Sequence, residues 1–215
     1  MERGTAMQIA IIAAGGRVGR LVTKVAVERG HQVTAFVRTP KNTKAQNEVL
    51  IDAEDLTKED LANFDVVVNA FGAWEDDLLP KHDTVTQIIC DAISETDTKL
   101  YIVGSAGSLF VNQNHDEVLW ESDLMPEPFK PLASNMAQAF NNLKKRSDVN
   151  WVYVSPALDF QAEGEEINNY IIAGDDFTTN DNGESFISYA DFAVALVDII
   201  EENKFNQERI SLLSQ

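Results

Sequence analysis

A glycine-rich turn near the start of the chain links an apolar run to a segment of helical period. Residues 8–13 are almost all apolar, and the turn reads Ala13-Ala14-Gly15-Gly16-Arg17-Val18-Gly19. Apolar side chains then recur at helical spacing, at Val18, Leu21, Val22, Val25 and Ala26. Gly30 suits the position after a helix end, and a second apolar run follows at residues 32–37. The pattern predicts a strand, a helix and a parallel second strand.

The rest of the chain repeats this alternation of short apolar runs and longer helical segments. We predict strands at residues 8–13, 32–37, 48–51, 65–69, 99–103, 151–155 and 208–213, and helices at about 85–93, 133–145 and from Ser188 onward. Such alternation is typical of an α/β fold, a parallel sheet with helices on both faces. Residues 106–131 and 158–185 interrupt it. Both follow strand ends, where open α/β sheets bind ligands, so we interpret them as small insertions on the substrate side.

Composition limits the class of protein. With 215 residues, 44% of them hydrophobic, we expect one domain over residues 7–215, after a disordered or artificial head at residues 1–6. One cysteine allows no internal disulfide, and we find neither a leader pattern nor a membrane-length apolar run. The net charge of −18 disfavours nucleic acid and anionic lipid. We therefore expect a cytoplasmic monomer or homodimer that binds neither nucleic acid nor membrane.

The glycine-rich turn has the context that dinucleotide binding requires, because it joins a strand directly to a helix. Gly16 would let the backbone approach a pyrophosphate, and Gly19 would let helix and strand pack closely. The N–H groups at the helix start would face the phosphates. In a G-x-x-G-x-x-G reading, Ala13 replaces the first glycine, and Gly15 could supply the turn instead. A tight turn without a ligand is the alternative.

The end of the second strand predicts which nicotinamide dinucleotide binds. An acidic residue there would contact the ribose 2′-hydroxyl of NAD, whereas an arginine accommodates the 2′-phosphate of NADP. The residue is Arg38, about 20 positions beyond Gly19, and Lys41 and Arg17 could reach the same phosphate. We therefore predict NADP as the cofactor, with NAD as the alternative. A solvated arginine at a strand end would look the same.

Further cofactor contacts are predicted from position after each strand. Asp52 and Ala53 follow the third strand, where an adenine would lie, although Asp52 could instead cap the next turn. Asn69-Ala70-Phe71-Gly72 follows the fourth strand, beside the ribose and pyrophosphate. Gly104 and Ser105 follow the fifth, which brings a hydroxyl near the nicotinamide. Ser105 is thus a candidate catalytic residue, and turn chemistry alone is the alternative.

Aromatic residues near strand ends or in the insertions could form a wall for a planar small-molecule acceptor. They are Phe71, Trp74, Trp120, Phe129 and Phe160. For each residue taken singly, a place in the core is the alternative, because aromatic residues are usually buried. His82 and His115 lack the spacing of metal ligands, so we predict no metal site and a surface role for both.

The motifs together resemble a known family. They comprise residues 13–19, 33–38, 69–72, Ser155-Pro156 and 186–191. The set resembles atypical short-chain dehydrogenases, in particular the bacterial NAD(P)H-binding proteins named NADH-flavin reductases, and is also similar to the biliverdin reductase B and NmrA-like groups. The resemblance, from Met7 onward, implies a Rossmann-type doubly wound sheet of three α/β/α layers, with strand order 3-2-1-4-5-6 and an extra strand. It also implies NADP or NAD, Pro156 among the cofactor contacts, and reduction of a flavin, quinone or similar acceptor.

The chain departs from ordinary short-chain dehydrogenases at their catalytic motif. Those enzymes reduce carbonyls with a Tyr-x-x-x-Lys pair, but here no tyrosine has a lysine four residues later. Hydride transfer to a flavin or quinone needs mainly alignment of two rings, so a missing proton donor is tolerable there. We therefore favour an NAD(P)H-dependent oxidoreductase. The alternatives are a redox-sensing regulator that binds NADP without catalysis and, less favoured, a sugar-nucleotide epimerase or dehydratase.

Overall fold

A computed structural model describes residues 5–215 of the chain. The first four residues of the predicted head, 1–4, lie outside the described residues. Thr5 and Ala6 are exposed and belong to no helix or strand.

Residues 5–215 contain ten strands and five α-helices. The strands are β1 (Gln8–Ile12), β2 (Gln32–Val37), β3 (Asn47–Leu50), β4 (Val66–Asn69), β5 (Lys99–Val103), β6 (Asn150–Pro156), β7 (Asp159–Gln161), β8 (Tyr170–Ala173), β9 (Phe186–Ser188) and β10 (Glu208–Ser214). The helices are α1 (Arg17–Glu28), α2 (Lys58–Leu61), α3 (Lys81–Ile93), α4 (Lys130–Leu143) and α5 (Tyr189–Glu202). Short 3₁₀ helices lie between them, including Ala53–Asp55 and Ala106–Ser108.

Eight strands form the central sheet in the order β3-β2-β1-β4-β5-β6-β10-β8. All neighbouring pairs are parallel except β10 and β8. The predicted class, a Rossmann-type sheet with helices on both faces, is confirmed, and so is the strand order 3-2-1-4-5-6. β10 extends this sheet in parallel beside β6. β8 adds an antiparallel edge strand that the sequence pattern does not predict.

The second insertion contains regular structure that the alternation does not reveal. β7 pairs with β9 in a separate two-stranded parallel ladder, while β8 closes the edge of the main sheet. These strands are three or four residues long, and β7 and β8 have no fully buried position. Short, partly exposed strands carry a weak hydrophobic pattern, which is why they were missed.

Local sequence explains where α1 ends and where α5 begins. Gly30, two residues beyond the end of α1, has a φ of +92°, a conformation that glycine adopts without strain. At the start of α5, the Ser188 hydroxyl accepts a hydrogen bond from the backbone N–H of Asp191. Ser188 is therefore the helix cap that the sequence predicts.

Apolar side chains fill both faces of the sheet. On one face, Val22 of α1 and Phe192 of α5 pack over alternate residues of the central strands. On the other, Ile89 of α3 and Phe140 of α4 do the same. The helices thereby fix the positions of the loops at the carboxyl ends of the strands. None of the helices in residues 5–215 combines the length and apolar composition that crossing a membrane requires.

Candidate functional site

The glycine-rich turn after β1 brings the start of α1 against the strand. The N–H of Gly16 donates a hydrogen bond to the carbonyl of Ala13 at 2.9 Å. A Cβ on Gly19 would lie 2.7 Å from that same carbonyl oxygen and 2.9 Å from the Cα of Ala14. Only a glycine fits such contacts, so Gly19 has the packing role that the motif predicts.

Ala13 has a φ of +57°, so the left-handed conformation of the turn falls on this alanine. Gly15 is not among the described glycines with positive φ. The suggestion that Gly15 supplies the turn is therefore wrong. Its lack of a side chain serves another purpose, because a Cβ on Gly15 would lie 2.6 Å from the Cγ of Lys41. The Lys41 side chain thus packs directly over the turn.

The start of α1 fits a phosphate group. Gly16 is its N-cap and offers no side-chain hydrogen bond, and no acidic residue lies in the first turn. The first N–H groups of the helix therefore have no side-chain cap and lie at the positive end of the helix dipole. Gly16 is exposed, so a ligand can reach them. These features suit the pyrophosphate of a dinucleotide.

Three exposed cations lie at or near the carboxyl ends of β1 and β2. Arg17 is the first residue of α1, Arg38 follows β2, and Lys41 lies over the turn. Within residues 5–215, none of these three side chains forms an ion pair or a side-chain hydrogen bond. Cations without a carboxylate partner are available to an anion, which matters in a chain of net charge −18.

Arg20, which no sequence motif identifies, links the glycine-rich turn to the loop after β2. Its Nε donates to the carbonyl of Gly15 and its Nη2 donates to the carbonyl of Lys41, both at 3.0 Å. Glu48 of β3 also holds the loop between β2 and β3, because its carboxylate accepts a hydrogen bond from the N–H of Thr43 at 2.6 Å. That hydrogen bond lowers the pKa of Glu48. These bonds join side chains to backbone atoms 5 to 21 positions away, and no motif predicts them.

The segment after β3 is held by local hydrogen bonds. Asp52 caps the 3₁₀ helix Ala53–Asp55, accepting the N–H of Glu54 at 3.1 Å, which is the alternative that the sequence left open. Ala53 is almost buried. Lys81, at the start of α3, forms an ion pair with Glu54, and this hydrogen bond raises the pKa of Lys81. Lys81 adds a cation near Arg38 that sequence reasoning did not identify.

Asn69 joins the end of β4 to α3. Its Nδ2 donates to the hydroxyl of Thr86 at 3.2 Å, and its Oδ1 accepts the N–H of Phe71 at 3.1 Å. Ala70 continues the ladder beside β1, donating to the carbonyl of Ile12. Gly72 is exposed and would meet nothing if it carried a Cβ. This segment is rigid at Asn69 and open at Gly72, and it lies at the carboxyl edge of the sheet.

Ser105 follows β5 at the same edge and has a structural role. Its hydroxyl accepts the N–H of Gly107 at 3.0 Å and caps the 3₁₀ helix Ala106–Ser108. Its own N–H donates to the hydroxyl of Tyr153 on β6 at 3.1 Å. Pro156, the last residue of β6, is buried. The turn chemistry proposed as an alternative for Ser105 is therefore present.

A small cavity lies at the carboxyl ends of β4, β5 and β6, between α3 and α4. With a volume of about 10 Å³, it has room for about one water molecule. Its lining includes Asn69, Phe71, His82, Met136 and Tyr153. The predicted surface role for His82 is wrong. Its side chain is only 7% exposed, Nε2 contacts the backbone of Ala73, and burial lowers its pKa.

The five aromatic residues proposed as an acceptor wall lie in different surroundings. Trp74 and Phe129 are 64% and 49% exposed. Phe160 packs on Tyr189 and Phe192, with ring centroids 4.1 and 5.0 Å apart, so it joins the core on the α1 and α5 face.

Trp120 lines a larger groove of about 640 Å³ on the side of α4 that faces the first insertion. Phe71 alone among the five aromatic residues lines the small cavity.

Comparison with known proteins defines the family. The profile of the NAD(P)H-binding family matches residues 13–203. The chain therefore belongs to this NAD(P)H-binding family, in agreement with the Rossmann-type fold and the geometry of the turn. The dinucleotide-binding residues predicted above lie within the matched range.

Individual relatives are similar over nearly their whole length. The uncharacterised protein YwnB of Bacillus subtilis is 34% identical, covering 97% of this chain and 99% of YwnB. SP1627 of Streptococcus pneumoniae, provisionally named an NADH-flavin reductase, has a crystal structure with a TM-score of 0.95 and 43% identity, covering 98% of this chain and all of that one. A Bacteroides thetaiotaomicron protein provisionally named an epimerase has a TM-score of 0.84 and 30% identity, with 98% of each chain covered.

Proposed function

We propose that this protein is an NADPH-dependent oxidoreductase that transfers a hydride to a flavin, a quinone or a similar planar acceptor. The observation that carries the proposal is the uncapped start of α1 together with Arg17, Lys41 and Arg38, three exposed cations on α1 and the loop after β2 that form no ion pair within residues 5–215. A 2′-phosphate and a pyrophosphate are anions that such a group would bind. The name of the S. pneumoniae relative gives independent support for flavin reduction.

The residues at the sheet edge favour alignment over acid–base chemistry. The dinucleotide supplies the hydride when bound, and the protein has to orient two rings and exclude water. The hydroxyl and the N–H of Ser105 both form hydrogen bonds, the latter to the buried Tyr153. His82 is also buried and lines the small cavity together with Tyr153. Burial lowers the pKa of His82 and raises that of Tyr153 to about 12, so both are neutral near pH 7. Neutral groups suit an acceptor that needs no strong acid.

Exposed aromatic side chains supply candidate acceptor contacts. Trp74 follows β4, and Phe129 is the N-cap residue of α4. Both expose about half or more of their surface, and an exposed aromatic at a ligand-binding edge suits stacking on a planar ring. Trp120 and Phe160 lie elsewhere, because the first lines the groove beside α4 and the second packs against the core.

The direct test is oxidation of NADPH and NADH in the presence of FMN, FAD and a panel of small quinones. We expect faster turnover with NADPH and at least one acceptor that supports it. The Gly16→Val variant, described below, serves as the matched control because it removes the phosphate site. Tight NADPH binding without turnover on any acceptor would instead favour the redox-sensing regulator. Absence of dinucleotide binding would overturn the proposal.

A further inference from the structure

Tyr153 reaches across from β6 to the loop that follows β5. Its side chain is 3% exposed, and its hydroxyl accepts the N–H of Ser105 at 3.1 Å. Within the described residues, no other side chain bonds to that N–H. The bond therefore fixes the backbone of Ser105, one residue past the point where Gly104 still donates to the carbonyl of Val154 in the sheet ladder.

Gly104 and the Tyr153 ring fit each other closely. A Cβ on Gly104 would lie 2.6 Å from the Cζ of Tyr153 and 2.9 Å from its Cδ1. Atoms do not approach so closely, so the ring occupies the space that any other residue at position 104 would need. The ring also packs on Phe140 of α4, with ring centroids 4.5 Å apart. The tyrosine therefore contacts both Gly104 and α4.

We propose that Tyr153 is the positioning residue for the Gly104–Ser105 segment, holding it where the nicotinamide end of the dinucleotide and the acceptor would meet. The inference rests on the proposed function, since it assigns a role within that same site. It follows from the hydrogen bond to Ser105, from the contact with Gly104 and from the place of Tyr153 in the lining of the cavity. The tyrosine acts through the backbone, in contrast to the proton-donating tyrosine of Tyr-x-x-x-Lys enzymes.

The chain provides a matched control in Tyr101. It lies on the neighbouring strand β5, is fully buried, and its hydroxyl has no hydrogen-bond partner in the described structure. Tyr101→Phe and Tyr153→Phe therefore remove the same atom from similar depth, but only the second removes a bond to the site. A difference between the two variants in turnover isolates that bond from the general effect of a lost hydroxyl.

For Tyr153→Phe we expect a kcat about tenfold below that of the unmutated protein, with the KM for NADPH changed by less than about twofold, because the acceptor end of the site loses its alignment. Tyr101→Phe should keep both constants. Amide hydrogen exchange at Ser105 should accelerate about tenfold or more in Tyr153→Phe alone. Equal turnover and equal Ser105 exchange in the two variants would overturn the proposal.

A second substitution approaches the same contact from the other side. Gly104→Ala forces the Tyr153 ring to move while keeping its hydroxyl, so it should reproduce the loss in kcat and the faster Ser105 exchange. Normal turnover in Gly104→Ala would count against the proposal, even if Tyr153→Phe failed to fold.

The exchange measurement needs no cofactor, so it separates the two hypotheses. If the unmutated protein bound no dinucleotide, the proposed function would fail while Ser105 protection could still be measured. If NADPH bound and turned over, but Tyr153→Phe left kcat and Ser105 exchange unchanged, only the positioning role would fail.

Discussion

Arg38 occupies the position after β2 where an acidic residue would contact the ribose of NAD. Its side chain is exposed and forms no ion pair among residues 5–215, so its charge is available to a 2′-phosphate. We expect NADPH to bind more tightly than NADH. Arg38→Asp should reverse this preference, because one charge-assisted contact contributes about 1.5–3 kcal/mol and the new carboxylate repels the phosphate. Calorimetric Kd values for both dinucleotides measure the change.

The control for Arg38→Asp is the same charge change on the same loop. Lys44→Asp replaces an exposed lysine that follows Lys41, and it alters the net charge by the same amount. We expect it to leave the ratio of the two Kd values unchanged. A comparable shift in Lys44→Asp would mean that the general field of the protein, and not Arg38, decides between the dinucleotides. Equal affinity of the unmutated protein for both would refute the prediction outright.

At the scale of elements, the turn between β1 and α1 contains two glycines with different tasks. A Cβ on Gly16 would approach only the carbonyl of Ala13, at 3.3 Å, whereas a Cβ on Gly19 would overlap backbone atoms at 2.7 and 2.9 Å. Gly16→Val should therefore abolish dinucleotide binding with little loss of stability. Gly19→Ala should lower the free energy of unfolding by about 1–3 kcal/mol, because helix and strand must separate.

Calorimetry and thermal unfolding followed by circular dichroism test the two effects independently. Each variant is the control for the other, because Gly16→Val should mainly change dinucleotide binding and Gly19→Ala should mainly change stability. Retained NADPH binding in Gly16→Val would show that the phosphates bind elsewhere. An unchanged melting temperature in Gly19→Ala would contradict the close packing of α1 on β1.

Ser105 caps the 3₁₀ helix Ala106–Ser108, so a substitution at Ser105 can change both stability and activity. Ser105→Ala removes its cap and should cost about 1 kcal/mol of stability, while kcat falls about 10-fold to 100-fold if the hydroxyl also orients a ring. Ser105→Gly is the control, because glycine at a cap costs only a few tenths of a kcal/mol. Equal kcat losses in both variants would assign the effect to the hydroxyl. A loss confined to Ser105→Ala would assign it to the cap.

Elements whose pattern is strong were predictable from the sequence. The six largely buried strands β1, β2, β4, β5, β6 and β10 were found within one residue at each end, because their apolar runs are nearly continuous and bounded by turns. The packing role of Gly19 and the capping role of Ser188 were also predicted correctly, because each depends on residues only a few positions away in the sequence. The edge strand β8 was missed because half-buried residues give little pattern.

The assembly of the site was less predictable, because it depends on contacts between residues far apart in sequence. Arg20 reaches Lys41, and Tyr153 reaches Ser105 across 48 positions. His82 looked like a surface residue, and only the packing of α3 against the end of β4 explains its burial. Side-chain bonds to distant backbone atoms leave no periodic signal in a single sequence.

At the scale of the whole molecule, one buried thiol couples stability to pH. Cys90 lies within α3, fully buried among apolar residues of the α3 and α4 face. Burial raises the pKa of its thiol to about 12, whereas a thiol in an unfolded chain has a pKa of about 8.5. Its contribution to stability is therefore complete below about pH 8.5 and is lost as pH rises toward 12, because only the unfolded state ionises in that interval.

The loss attributable to Cys90 should reach about 2 kcal/mol by about pH 10, since each pH unit above 8.5 contributes about 1.4 kcal/mol. Denaturant unfolding at about pH 7 and pH 10 measures it in the unmutated protein and in Cys90→Ala. The variant will be less stable at both values because it leaves a small cavity, so the informative quantity is the difference between the two pH values. Ionisation of tyrosines and lysines affects both proteins equally and cancels. We expect a drop about 2 kcal/mol smaller in Cys90→Ala, and an identical drop in both would show that Cys90 ionises as readily in the folded protein as in the unfolded chain.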